Sequence, residues 1–213
     1  MPGLRDRKKQ ELRHRMIQAA GRLFADQGLD DTTMEDIAAA ADVSVGTVYN
    51  YFGSKNVLLL AGVEEDTDEM IARGAAVLAA PGTDPVDAVR RLLDVYIEVL
   101  GSWDPRLLRQ ILGIAFQRIG GEELTKELFA MDQRLIEQMM TLLSHFQTKQ
   151  KLRRNIEVYE ATMLLFSTFV THLFMLVSLE HVTTKDIHDH VGRQVDLAFS
   201  GLAPQPSKKA RKK

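Results

Sequence analysis

The chain contains no cysteine, one tryptophan and six prolines among its 213 residues. Without cysteine it uses neither a disulfide nor a thiol nucleophile. It also lacks a run of about 18 uncharged apolar residues, and its first residues, MPGLRDRKKQ, lack the apolar core of a signal peptide. We therefore expect a cytoplasmic protein that has no membrane partner.

The motifs of common enzyme classes are missing as well. No glycine-rich phosphate loop is present, and serine, histidine and aspartate do not form a catalytic pattern. His181, His188, Asp189 and His190 match no closed set of metal ligands, and we expect them to face solvent. The sequence thus predicts no enzyme, no catalytic residue, no metal site and no cofactor.

Hydrophobic residues make up 45% of the sequence and recur at helical spacing, whereas alternating β-branched runs are few. This pattern predicts an all-α protein with one small and one larger helical unit. We expect a head over residues 1–53, a body over 54–203 and a disordered basic tail over 204–213. The predicted body helices span residues 54–80, 85–100, 105–119, 122–148, 156–179 and 184–202.

The net charge of −2 conceals a division along the chain. Residues 1–55 carry eight basic and eight acidic side chains, residues 56–203 carry 14 and 21, and the last ten residues carry five basic side chains and no acidic one. An acidic body repels DNA and leaves DNA binding to the head. We expect the tail to be a solubilising end, with a non-specific DNA contact as the alternative.

Residues 32–60 predict two short helices joined by a tight turn. Thr33 with Asp36, or Thr32 with Glu35, offers a capping box, in which a hydroxyl and a carboxylate satisfy the first N–H groups of a helix. Ser44 supplies the N-cap of a second helix. Two capped helices at this separation are typical of helix-turn-helix proteins that bind DNA.

The second helix, expected from Val45 to about Tyr51, has the side chains of a helix that reads bases. Gly46 and Thr47 are small, so the backbone of the first turn can approach a groove closely. Asn50 can pair through two hydrogen bonds with an adenine edge in the major groove. Asn50 is therefore the best candidate for direct base reading.

An amphipathic helix over residues 5–27 would complete a three-helix head. Residues 1–22 carry seven basic and two acidic side chains. We expect Arg5, Arg7 and Lys8 to be disordered and to reach an adjacent minor groove, with a merely solvated face as the alternative.

These residues resemble the DNA-binding segment of TetR-type transcriptional regulators over about residues 8–60. The sequence departs from the family at Asp42, where a Gly is usual, and Asp tolerates the left-handed backbone that this Gly adopts. The matching positions are Thr32-Thr33, Ile37-Ala38, Val43-Ser44, Gly46-Thr47-Val48-Tyr49, Tyr51-Phe52 and Ser54-Lys55.

The resemblance implies which residues contact DNA. The alternative for Thr33 and Ser44 is that they only cap helices, and the alternative for Tyr49 is a half-buried ring. Phe52 is expected in the core. The implied phosphate contacts are Thr33, Ser44, Tyr49, Tyr51 and Lys55, and the implied contacts to base edges are Val45, Gly46, Thr47 and Asn50.

The last two predicted helices are candidates for a dimer interface. The segment 157–179 is apolar almost all round, more than one covered face needs. The resemblance implies that these two helices pair with a second copy as a four-helix bundle, whereas a monomer core helix is the alternative. Two heads one helical turn apart would read a palindromic operator in double-stranded DNA.

The resemblance also implies an effector cavity in the body. The predicted ligand residues are Tyr96, Trp103, Arg109, Phe116, Met139, Phe166 and His172. Plain core packing is the alternative for most of them, and a hydrogen-bonded core position is the alternative for His172. The apolar lining favours a small, largely apolar effector.

Together these observations predict a ligand-responsive homodimeric regulator. We expect a repressor that the effector releases from its operator. The alternative is an effector-independent DNA-binding dimer with a filled core. A cavity of several hundred Å³ in the body would favour the ligand-responsive protein.

Overall fold

The computed structural model describes residues 3–115 and 122–202, and in these ranges it contains helices and no strand. The all-α prediction is therefore confirmed. The predicted helix 105–119 is described as far as residue 115, and the predicted tail lies outside the described residues. The helices are α1 Leu4–Gln27, α2 Met34–Ala40, α3 Val45–Phe52, α4 Lys55–Ala79, α5 Pro85–Gly101, α6 Pro105–Ala115, α7 Glu122–Thr148, α8 Val158–Ser178 and α9 Thr184–Leu202.

Local sequence explains where α5 and α6 begin. Each starts at a proline, whose missing N–H costs nothing in a first helical turn. An aspartate precedes each proline: Asp84 Oδ1 accepts from the backbone N of Val86 at 2.9 Å, and Asp104 Oδ1 accepts from that of Arg106 at 2.7 Å. These carboxylates satisfy donors that a helix start otherwise leaves unpaired.

Packing divides the chain into two compact units. The first consists of residues Met1–Glu69 and Ser102–Phe129, and the second of Met70–Gly101 and Ala130–Lys213. In the first unit α1, α2 and α3 share one hydrophobic core with the early turns of α4 and with α6, to which Leu107 and Ile111 contribute buried side chains.

The predicted boundary after residue 53 differs from this division. Helix α4 continues through both units, and Leu58, Leu59 and Val63 in its first turns are buried in the core of the head. Removing these side chains from the head would expose apolar surface, so the head keeps α4 as far as Glu69.

A buried amide connects three helices inside the second unit. The hydroxyl of Tyr96 on α5 donates to Gln138 Oε1 on α7 at 3.0 Å, and Gln138 Nε2 donates to the carbonyl of Ile71 on α4 at 3.0 Å. A Cβ at Gly74 would lie 2.1 Å from Gln138 Oε1, so only glycine leaves room for this amide. The polar atoms are thereby satisfied away from water.

Helix α8 is the most apolar element of the second unit. Among the described helices, α8 is the one whose length and apolar composition would allow it to cross a membrane. Core helices of soluble proteins often have the same length and composition. One side of α8 is buried in the unit, including Ala161, Leu165, Phe169 and Leu176.

We predict that Asp132→Asn stabilises the protein near neutral pH. Burial on α7 raises the pKa of Asp132 to about 6, above its value of roughly 4 in an unfolded chain. Between these values the folded state holds the extra proton, so the unfolding free energy falls as pH rises through the window. Denaturant unfolding should show a gain of about 1–2 kcal/mol at pH 7.5 that disappears towards pH 4.

The exposed carboxylate Asp68 on α4 offers the matched control. Asp68→Asn should show a smaller gain at pH 7.5. An equal gain from both variants would contradict a specific penalty at Asp132.

Candidate DNA-binding surface

Helix α2 begins with a reciprocal cap. Thr33 Oγ1 accepts from the backbone N of Asp36 at 3.1 Å, and Asp36 Oδ2 accepts from the N and Oγ1 of Thr33 at 3.0 and 2.6 Å. These hydrogen bonds hold the pKa of Asp36 below its usual range. Of the two predicted registers the structure has the one with Thr33, because the Thr32 side chain is buried and donates to the carbonyl of Gly28.

The turn between α2 and α3 needs a left-handed residue, and Asp42 supplies it with φ of 54°. The N of Asp42 donates to the carbonyl of Ala39 at 3.2 Å, and the N of Val43 donates to that of Ala38 at 3.0 Å. This is the Schellman arrangement that ends many helices, usually with glycine at the left-handed position. The expected left-handed backbone at Asp42 is confirmed.

Helix α3 is capped by Ser44, whose Oγ accepts from the backbone N of Thr47 at 3.2 Å. The same Oγ lies 2.8 Å from Thr47 Oγ1, so the two hydroxyls share a hydrogen bond. Val48 and Phe52 are buried in the core of the head, whereas Asn50 is exposed. One side of α3 is therefore packed into the core of the head, and the side that carries Asn50 faces solvent.

The nine predicted DNA contacts all lie within α2, α3 and their caps, or at the start of α4. Tyr49 is 49% exposed, so its ring is about half buried, as the alternative had it, and the other half of its surface is open to solvent. Phe52 is buried, as expected. The side chains of Thr33, Ser44, Tyr49 and Asn50, with Gly46, are exposed, and those of Val45, Thr47, Tyr51 and Lys55 are partly buried.

Lys55 has a role that the sequence did not indicate. Its Nζ donates to the carbonyls of Leu29, Asp30 and Thr32 at 2.6, 2.8 and 3.2 Å. The ammonium has three N–H donors, so each has a backbone acceptor. Lys55 thus closes the loop between α1 and α2. Its partners are 23 to 26 residues away, and no local pattern gives a signal for them.

The basic N-terminal residues are not a disordered arm. Helix α1 begins at Leu4, so Arg5, Arg7 and Lys8 lie on its exposed first turns. The expectation of disorder is wrong because the helical pattern of α1 extends through these residues to its N-terminus.

The predicted ligand residues are divided between the two units, and Phe116 lies outside the described residues. Tyr96 and Met139 are fully buried, and burial raises the pKa of the Tyr96 phenol above its usual value. Trp103 and Arg109 belong to the first unit, whereas Tyr96, Met139, Phe166 and His172 belong to the second.

His172 has the position of a core histidine. Its Nδ1 lies 2.7 Å from the carbonyl oxygen of Thr168, and its ring stacks on that of His190 with centroids 5.8 Å apart. His188 is paired with Asp94, at 2.8 Å between Nδ1 and Oδ1, instead of facing solvent freely. Within residues 3–115 and 122–202, no group of three acidic or histidine side chains is arranged to hold a metal.

Two capped helices joined by a tight turn, the second of which exposes Asn50, form the helix-turn-helix arrangement that many DNA-binding proteins share. Residues 16–61 match the family model for bacterial regulatory proteins of the TetR family. The resemblance to the TetR family is therefore confirmed for these residues, which contain the two capped helices. Members of this family are not enzymes.

Curated relatives match over part of their length. The regulator HbdR of Aromatoleum sp. (strain CIB) is 42% identical over 96 residues, which cover 44% of this chain and 40% of HbdR. The regulator TtgR of Pseudomonas putida is 33% identical over 106 residues, 48% of this chain and 50% of TtgR. This chain therefore matches half or less of the length of these relatives.

Solved structures share the fold over nearly the whole chain. A TetR transcription regulator from Haloarcula marismortui ATCC 43049 has a TM-score of 0.76 at 17% identity and covers 92% of this chain and 100% of its own. A TetR-family regulator from Mesorhizobium loti has a TM-score of 0.72 at 19% identity, with 92% and 98% covered. At these identities the likeness concerns the fold alone.

We predict that Lys55→Met destabilises the head. Methionine keeps the stem but removes the charge and all three hydrogen bonds to the loop carbonyls. Water can replace the ammonium at some of these carbonyls, which limits the loss. We expect denaturant unfolding to show a free energy of unfolding lower by about 1–3 kcal/mol. The exposed Lys9 of α1 is the control, and Lys9→Met should change stability by less than roughly 0.5 kcal/mol. Equal stability of both variants would show that the loop does not depend on Lys55.

Proposed function

We propose that this protein is a cytoplasmic repressor that binds a palindromic operator as a homodimer and leaves it when a small, largely apolar effector binds. The observation that carries the proposal is the exposed side of α3, where Tyr49 and Asn50 stand out from a helix anchored by Val48 and Phe52. The repressor KstR of Rhodococcus jostii (strain RHA1), 32% identical over 85 residues, is consistent with repression.

The proposed contacts separate into positioning and reading. The exposed cap residues Thr33 and Ser44 lie at helix starts, where backbone N–H groups and the helix dipole attract phosphate. Asn50 reads a base edge in the major groove. Lys55 contributes its charge, although its N–H groups already bind backbone carbonyls.

The homodimer is supported by apolar side chains that the second unit leaves in water. Phe174 is 66% exposed and Leu164 is 54% exposed on α8, and Leu197 on α9 is 72% exposed. Each costs free energy in a monomer, and a second copy would cover them. A two-fold dimer also supplies the two heads that a palindrome requires.

Release would act through α4, which contributes to both units. An effector that prefers one position of α4 would change the spacing of the two recognition helices, so they would no longer match successive grooves. A coupling free energy of ~1–3 kcal/mol weakens operator binding about 5–150-fold.

The effector-independent dimer remains a second candidate because of the packing of the second unit. Tyr96 and Met139 are fully buried there, and Tyr96 is hydrogen-bonded to Gln138. A small molecule that binds tightly but leaves operator affinity unchanged would favour this candidate.

The first experiment is binding of the purified protein to the DNA flanking its own gene, against random duplex and at two salt concentrations. We expect dimeric binding that prefers the flanking DNA and weakens with salt. Asn50→Ala should cost ~1–3 kcal/mol on the operator and relax the preference at one position per half-site.

Lys55→Ala is the comparison variant. It should weaken operator and random duplex alike and lower the salt slope by about one, at a temperature where circular dichroism shows the variant folded, because Lys55 also holds the loop before α2. Equal losses on both duplexes for Asn50→Ala would contradict base reading, and an absence of sequence preference in the parent protein on genomic fragments would contradict the repressor.

Phe174→Glu tests the dimer. A charge on the proposed interface should weaken association because it cannot be buried unpaired, so sedimentation should show a shift from dimer to monomer. Phe129→Glu on α7 is the matched control, since Phe129 is 62% exposed and outside the proposed interface. A parent protein that sediments as a monomer would contradict the proposal.

A further inference from the structure

The first unit contains a cleft of about 390 Å³, within the range of small-molecule sites. Helices α1, α4 and α6 form it together with the turn that precedes α6. Its apolar wall includes Ile17, Phe24, Leu58 and Leu107, which are all buried. The cleft belongs to the head and shares only Trp103 with the predicted effector residues.

Two glycines keep the cleft open. A Cβ built on Gly21 of α1 meets nothing within 4 Å, and one built on Gly62 of α4 lies 3.6 Å from Cγ2 of Ile17. Each glycine therefore occupies a place where a larger side chain would fill the space. Glycine inside a helix is less stable than alanine, so this space has a cost to the fold.

The charged groups of the cleft differ in their partners. Glu65 is paired with Arg13 at 2.7 Å, and Asp104 is paired with Arg106 at 3.0 Å. Arg22 lies in the lining with its side chain exposed. Asp66 has no cationic partner among the described residues.

Asp66 is a partly buried carboxylate with one hydrogen bond. Its Oδ2 accepts from Nε1 of Trp103 at 2.6 Å, and both residues line the cleft. Burial raises the pKa of Asp66, and the charges of Glu65 and Glu69 add to this effect, although the Trp103 hydrogen bond opposes it. A cation placed here would compensate the carboxylate that the fold leaves without one.

We propose that this cleft binds a small organic cation with an apolar body. The cationic group, an ammonium or quaternary ammonium, lies beside Asp66, whose negative charge attracts it. The apolar body lies against the wall formed by Ile17, Phe24 and Leu58. This site goes beyond the proposed operator and effector functions and does not depend on them.

Trp103 is the only tryptophan in the chain and lines the cleft, so its fluorescence reports binding directly. The probes are 4-phenylbutylamine and its neutral analogue 4-phenylbutan-1-ol. We expect a saturable change with the amine at neutral pH and about tenfold weaker binding of the alcohol, because only the amine forms a charged hydrogen bond.

Asp66→Asn separates charge from shape. Its amide oxygen still accepts from Trp103, but the charge is gone, so amine affinity should fall about tenfold while alcohol affinity stays. Asp68→Asn on the exposed side of the same helix is the control and should leave both affinities unchanged.

Gly21→Leu tests the location. The leucine side chain has free space in front of its Cβ and better helix propensity than glycine, so the variant should fold and bind both probes at least about tenfold more weakly. The proposal would be overturned by equal affinity of amine and alcohol, by unchanged amine affinity in Asp66→Asn or Gly21→Leu, or by no saturable response in the parent protein.

Discussion

An eight-residue helix is not stable alone in water, so the DNA-facing side of α3 depends on the burial of its other side. Val48 is fully buried and Phe52 is 7% exposed, and both lie in a core shared with α1, α2, α4 and α6. Ser44 and the left-handed Asp42 fix the direction in which the helix leaves that core. The exposure of Asn50 is therefore a consequence of packing that takes place behind it.

Short-range features were predictable from the sequence because they depend on neighbours within one or two turns. The caps at Thr33 and Ser44 and the left-handed residue Asp42 involve atoms no more than five residues apart. Helix bounds followed from the same local chemistry. The register at Thr33 was the exception, since the burial of Thr32 and its hydrogen bond to the carbonyl of Gly28 decide it.

Long-range contacts were not predictable, and they decide the extent of the head. Ile111 of α6 enters a core whose other members lie mostly before residue 64, and hydrophobic periodicity says which side of a helix is buried but not against what. Lys55 is the polar counterpart: a resemblance to DNA-contacting lysines does not reveal that its ammonium holds three loop carbonyls. The place of Trp103 in the first unit also depends on a long-range contact, its hydrogen bond to Asp66.

Environment gives chemically identical carboxylates different tasks in this protein. Asp36 accepts two hydrogen bonds from Thr33 at a helix start, which favours its ionised form, whereas burial disfavours the ionised forms of Asp66 and Asp132. An ionised carboxylate that caps a helix stabilises the fold. An ionised carboxylate that is buried without a cation destabilises the fold unless it binds a proton or another cation.

The cleft beside Asp66 shares residues with the core that supports α3. Leu58 and Ile111 line the cleft and are also part of the core that supports α3. A molecule that binds this cleft only in the folded head adds RT ln(1 + [L]/Kd) to its stability, about 2.7 kcal/mol at a hundredfold excess over Kd. By linkage, any preference of that molecule for one arrangement of the shared core must appear equally as a change in the affinity of α3 for DNA.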